Sequence, residues 1–170
     1  MKKCLQLLIY LMLSLIIISR ASSLDSLKIE LKKAAADTNQ VNLLNELCNQ
    51  IMSDGNYFPA LEYGKQALML SQTLHFKRGE ANANRLMGRI QKKLGNHPES
   101  LKCFLATLKI NEELGDKKGI AGAYNNIGTV YLEQKQYEEA LSNINKALAI
   151  FKEIKDKTWI HNTYTNLGNI

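Results

Sequence analysis

Apolar and small residues fall at spacings of three and four through the stretch Ala121 to Ile150, and they do so in two runs. The first is Tyr124, Ile127, Gly128, Tyr131; the second is Tyr137, Ala140, Leu141, Ile144, Ala147, Leu148. Such spacing puts each run on one face of a helix. Gly128, Ala140 and Ala147 lie inside those faces. A glycine there weakens a lone helix by about 1 kcal/mol relative to alanine, so close packing against a partner is what favours it. The stretch predicts a helical hairpin built to be stacked on a neighbour.

The neighbours are in the same chain. Moving Gly128 by forty residues lands on Gly88 in one direction and Gly168 in the other, and by eighty on Cys48. Ile127 corresponds to Leu47, Met87 and Leu167, Ala140 to Ala60 and Ser100, and Ala147-Leu148 to Ala67-Leu68 and Thr107-Leu108. An uninterrupted period of this kind outranks any local reading. The predicted helices are 40–53 and 57–73, 80–94 and 97–114, 120–134 and 137–154, with a last one from about 158. The connections between units are expected to be the longer ones, at 75–79, 115–119 and 155–157. Ahead of the array, residues 22–40 form a leading cap helix that stops near Asp37-Thr38-Asn39. The array itself divides into units of about 41–80, 81–120 and 121–160, with a partial unit at 161–170.

The recurring aromatic, Leu-Gly, Tyr, Gly-x-Tyr, Ala and Ala positions resemble the tetratricopeptide repeat, in a long variant of about forty residues. The resemblance spans about residues 41–170. The third unit matches best; the second departs at Asn84, Gln91 and Ser100, the first at Cys48 and Gly64. The resemblance implies an all-α fold, a right-handed superhelical solenoid of antiparallel helix hairpins. More narrowly, Gly115-Asp116-Lys117-Lys118-Gly119 and Ala123-Tyr124-Asn125-Asn126-Ile127-Gly128 resemble exported repeat regions of Bacteroidetes-type sensor kinases and regulators.

The first 21 residues stand apart from the array: Lys2 and Lys3, the apolar run Leu5 to Ile18, then Ser19-Arg20-Ala21 have the layout of a cleaved signal peptide. The run is short for a membrane span, which takes about 20 residues, so an uncleaved anchor is the second reading. The expected location is periplasmic or secreted. Loss of Lys2, Lys3 and Arg20 lowers the formal charge from +6 to +3, which is no argument for nucleic acid. Cys48 and Cys103 fall within apolar patterns, and buried free thiols are expected there rather than a bridge. Tyr164, Leu167 and Ile170 form an apolar stripe on an incomplete unit, so the working protein is expected to extend beyond this chain or to cover that face with another one.

Catalytic constellations are absent from the pattern. His75, His97 and His161 stand alone, and there is no Gly-x-Ser-x-Gly, phosphate-binding loop or His-Glu-x-x-His. No enzyme activity, metal or cofactor is expected. The resemblance points instead to the concave face, where first helices line a groove for peptides. The positions that flank the buried ones are Asn45 and Asn49; Arg85, Arg89 and Lys92; Asn125, Asn126 and Thr129; Asn162 and Asn166. Asparagine donates and accepts at once and suits a peptide backbone; the basic cluster favours an acidic segment. The carboxylate-clamp form of the repeat is not expected, because Asn45 replaces its first basic residue and Leu86 its middle asparagine. The expected function is a scaffold that binds a protein or peptide segment in the groove, with the sensory half of a kinase or regulator as the alternative.

Overall fold

The computed structural model describes residues 23–168, so the targeting segment expected at 1–21 lies outside the described residues, as do Asn169 and Ile170. Eight helices occupy the described residues, and no strand occurs among them. They are α1 over 23–33, α2 (Thr38–Ser53), α3 (Tyr57–Thr73), α4 (Lys77–Lys93), α5 (His97–Leu114), α6 (Lys117–Glu133), α7 (Tyr137–Glu153) and α8 (Lys157–Leu167). Consecutive helices pack on each other from α2 to α8, and α2, α4 and α6 also touch one another in turn. The even-numbered helices therefore form an inner row and the odd-numbered ones an outer row. No described helix is long and apolar enough to cross a membrane.

The two kinds of connection turn out to be one kind. Gly55, His75, Gly95, Gly115, Lys135 and Lys155 all have positive φ, and they recur every twenty residues. At each, the N–H donates to the carbonyl three residues back and the next N–H to the carbonyl five back, as in Lys135 to Leu132 (3.0 Å) and Gln136 to Tyr131 (2.9 Å). That is a Schellman cap, which satisfies helix-end carbonyls and reverses the chain at once. The longer loops expected between units do not form. α4 and α6 start at Lys77 and Lys117, three residues ahead of the expected 80 and 120. The cause is Gly79 and Gly119, which are packing residues in the first turn. A Cβ at Gly79 would lie 2.7 Å from Val41 Cγ1, and one at Gly119 would lie 2.5 Å from Asn111 Cγ.

A lysine at φ 60° carries steric strain that a glycine would not. Lys135→Gly is therefore expected to stabilise the chain by about 1 kcal/mol, and Gly115→Ala to destabilise it by a similar amount. Urea denaturation of both variants checks the pair of signs.

Packing within each hairpin follows a size rule. Where the inner helix has a glycine, the outer helix of the same hairpin supplies a large side chain. A Cβ on Gly88 would lie 2.7 Å from the Phe104 ring, and one on Gly128 would lie 2.5 Å from Ile144 Cγ1. The first hairpin reverses the sizes: Cys48 replaces the glycine and Gly64 replaces the large residue, with a Cβ on Gly64 coming 3.3 Å from Cys48 Sγ. The departures at Cys48 and Gly64 are thus one compensated exchange. Ser100, where the other units have alanine, is buried and donates its hydroxyl to the Gly88 carbonyl (2.8 Å). Asn84 donates to the Glu80 carbonyl (3.0 Å). Ser100 and Asn84 thus find local acceptors, as buried polar groups must, and the third departure, Gln91, accepts from Asn96 Nδ2 (3.3 Å).

Cys48 and Cys103 are buried free thiols. Burial pushes the Cys48 thiol up to about 11, against the pull of Arg85 and Arg89, and pushes Cys103 up to about 11 as well. Both are neutral at physiological pH and behave as small apolar side chains.

Candidate partner-binding groove

The inner row of helices walls a groove of about 940 Å³. α2 contributes Asn42, α4 contributes Asn82, Arg85 and Arg89, and α6 contributes Asn125 and Asn126. Trp159 of α8 and Phe76, in the turn before α4, also line it. A smaller recess of about 610 Å³ lies between α1 and α2. It carries both signs of charge, in Glu30, Asp37, Glu46 and Lys33, and shares Asn42 with the groove.

Arg85 and Arg89 are four residues apart on α4, one helical turn, and both are half-buried. Arg85 Nη2 donates to Asn82 Oδ1 (2.6 Å). Burial first, and the neighbouring Arg89 second, hold the Arg85 guanidinium below its ordinary value. Neither arginine has a carboxylate partner among the described residues. Of the other cations near the inner row, Arg78 is also without one but is exposed, whereas Lys92 and Lys118 are paired. Lys92 lies 3.4 Å from Glu133 and donates to Thr129 Oγ1 (3.1 Å). Lys118 lies 2.8 Å from Asp156. Two like charges held together in a partly desolvated wall, without a counter-charge, favour an incoming anion.

Of the positions expected to line the groove, Arg85, Arg89, Asn125 and Asn126 do so. Asn45 does not: it is 2% exposed, and its Nδ2 donates to the Gly79 carbonyl (3.3 Å), tying α2 to the first turn of α4. Asn125, at the same register one period pair later, is 6% exposed and accepts from Asn166 Nδ2 (3.0 Å), which ties α6 to α8. Asn166 is thereby engaged within the array. Arg85 shares that register and is too long to tuck between helices, so it extends into the groove. Asn49 lines a separate small recess with Ser23, Gln50 and Ser53. Lys92 and Thr129 bond to each other, and Asn162 is exposed outside the lining.

Asn42 and Asn82 were not anticipated, although the signal was available. Sliding Asn162 back through the forty-residue register gives Gly122, Asn82 and Asn42. Trp159 carried no comparable signal, because its register positions Gly79 and Gly119 are packing glycines.

Asp116 and Asp156 cap α6 and α8, accepting from the N–H groups of Gly119 (3.0 Å) and Trp159 (3.1 Å). The Lys118 ammonium, then the Trp159 N–H, hold the Asp156 carboxyl below its usual value. A depressed carboxyl stabilises the fold at neutral pH, and that contribution is lost as pH falls through the lowered value. Among the described residues no group of three or more His, Cys, Asp or Glu is placed to hold a metal ion.

The sequence profile of the tetratricopeptide repeat matches residues 79–153 and 119–170, more than half of the chain, and the chain belongs to that family. Solved structures of similar shape include BtubC (BKLC) from P. vanneervenii, with a TM-score of 0.70 at 19% identity over 89% of this chain and 63% of that one. The apo form of RapI gives 0.76 at 19% identity over 88% of this chain and 42% of that one. A signal transduction ATPase with numerous domains and a tetratricopeptide repeat sensor, from Pyrococcus horikoshii, gives 0.76 at 20% identity over 87% of this chain and 23% of that one. The chain thus spans less than two thirds of each of these proteins. At such identities the likeness establishes the fold: a right-handed superhelical solenoid of antiparallel hairpins. No curated protein sequence matches the chain.

Proposed function

We propose that the chain is a non-catalytic scaffold that binds a protein or peptide segment along its concave groove, and that the segment is acidic. Protein and peptide binding is the general business of this repeat. The observation that carries the finer reading is the Arg85–Arg89 pair, half-buried in the groove wall and without a carboxylate among the described residues. The asparagines beside it, Asn42, Asn82 and Asn126, suit the alternating donors and acceptors of a peptide backbone. Nucleic acid fits less well. A phosphate backbone needs a continuous basic track, and here Lys92 and Lys118 are already neutralised by Glu133 and Asp156.

Fluorescent peptides of alternating Glu and Gly are expected to bind the full chain, and Lys-Gly peptides not to bind. Arg85→Glu with Arg89→Glu weakens the Glu-Gly peptide at least ~10-fold, the equivalent of one charge-assisted hydrogen bond. Equal binding of both peptides, or an unchanged affinity in the double variant, overturns the acidic-segment reading.

Export rests on the pattern of residues 1–21, and predicts a mature N-terminus after Ala21 by mass spectrometry of the secreted chain. The likeness to the archaeal ATPase, whose repeat array is a sensor, favours a second reading in which this scaffold is the sensory part of a larger signalling protein.

A further inference from the structure

We infer that the groove has a second, apolar subsite between Gly122 on α6 and Trp159 on α8. The segment it accepts then carries a bulky apolar or aromatic side chain two or three residues away from its acidic one. This rests on the reading of the concave face as a peptide groove and specifies which peptides enter it.

Gly122 is unlike the glycines that pack helices together. A Cβ on Gly79, Gly88, Gly119 or Gly128 would come within 2.8 Å of a neighbouring side chain, whereas one on Gly122 would meet nothing within 4 Å. Its φ is not in the left-handed range either, so neither backbone conformation nor internal packing calls for it. A glycine in a helix interior weakens the helix. What this one provides is space, and the space opens into the groove wall. In the forty-residue register Gly122 interrupts a column of asparagines formed by Asn42, Asn82 and Asn162. The polar ladder is therefore broken at one rung by a notch.

Trp159 is the chain's single tryptophan. Its ring stacks on Phe151 at 5.3 Å and 12°, which fixes it in place, and it joins Ala121, Ala147 and Phe151 in a cluster. It remains half-buried and lines the same groove as Gly122. A rigid, partly exposed indole in a groove is a typical anchor surface for an apolar side chain.

The notch at Gly122 is on α6, next to the arginine pair on α4 in the inner row, with Trp159 flanking it from α8; the axes of neighbouring helices are about 8–10 Å apart. An extended chain advances about 3.3 Å per residue. Two or three residues therefore carry the bound segment from the arginine pair to the notch, with the asparagines between them on the backbone.

Selection of random ~12-residue peptides against the full chain tests this, read alongside the emission of Trp159. The wild-type chain is expected to enrich Asp or Glu paired with Phe, Tyr, Trp or Leu two or three positions away, and selected peptides that lack tryptophan are expected to shift Trp159 emission. Gly122→Leu, which fills the notch, keeps the acidic preference and loses the apolar pairing, and weakens a wild-type-selected peptide about 10-fold or more. Arg85→Glu with Arg89→Glu loses the acidic preference. If Gly122→Leu selects the same pairs as wild type, the apolar subsite is wrong while the acidic groove stands. If the wild-type chain enriches no acidic residues, the underlying groove reading fails. If a single-stranded oligonucleotide shifts Trp159 at lower concentration than any selected peptide, the ligand class is wrong.

Discussion

Phe104→Ala is expected to remove about 3–5 kcal/mol of stability, the ordinary range for truncating a fully buried phenylalanine. Phe104 is 0% exposed and touches both directions of the array. Its ring fills the space left by Gly88 within its own hairpin and packs on Ile127 and Val130 of the next. A small domain is stable by only about 5–15 kcal/mol, so the loss is a large share of the total. Stability in a solenoid is a sum over neighbours, and this substitution weakens two adjacent terms together. Urea denaturation should show a lower midpoint and a broadened or split transition, because the helices on either side of α5 no longer melt as one. A loss below about 1 kcal/mol would show that Phe104 does not join the hairpins.

Gly128→Val is expected to lose about 3 kcal/mol, by overpacking rather than by a cavity. Ile144 Cγ1 lies 2.5 Å from where a Cβ would stand, and the Ala140 carbonyl lies 3.1 Å away. The side chain has nowhere to move, since Ile144 is 0% exposed, and the carbonyl belongs to the α7 backbone. The mechanism is separated from simple destabilisation by a cycle. Ile144→Ala alone opens a cavity, and Gly128→Ala alone collides with Ile144. The double variant should be less destabilised than the sum by more than the ~0.5 kcal/mol found for independent sites. Additive losses would mean that the two residues do not share that space.

The helices and their stacking were legible because the sequence repeats sizes, and size at a fixed period is what close packing selects. Gly128 with Ile144, and Gly88 with Phe104, carry that signal directly. What could not be read was the identity of all the turns. Three of the left-handed positions are glycine, but His75, Lys135 and Lys155 occupy the others, so residue type did not mark the twenty-residue period. For the same reason the glycines at 79 and 119 looked like loop residues, although their role is to let Val41 and Asn111 approach. The groove was half legible. Arg85 and Arg89 reach the groove wall because they are too long to bury without a partner. Asn45 and Asn166 were misplaced because their fate depends on acceptors, the Gly79 carbonyl and Asn125 Oδ1, supplied by other helices. A one-dimensional pattern gives the direction of a side chain and not the bond that captures it.

The shared turn geometry has a mechanical consequence. Because the connection inside a hairpin and the one between hairpins close with the same pair of hydrogen bonds, neither is a designed weak link. Pulled from one end, such a chain would instead yield at the packing between hairpins, which is less extensive than that of α4 on α5 or α6 on α7. Each release would be of about forty residues, or about 14 nm of contour at ~3.6 Å per residue. The array would behave as a graded spring, able to lengthen under load at one end while the Arg85–Arg89 wall, in the middle of the chain, stays assembled.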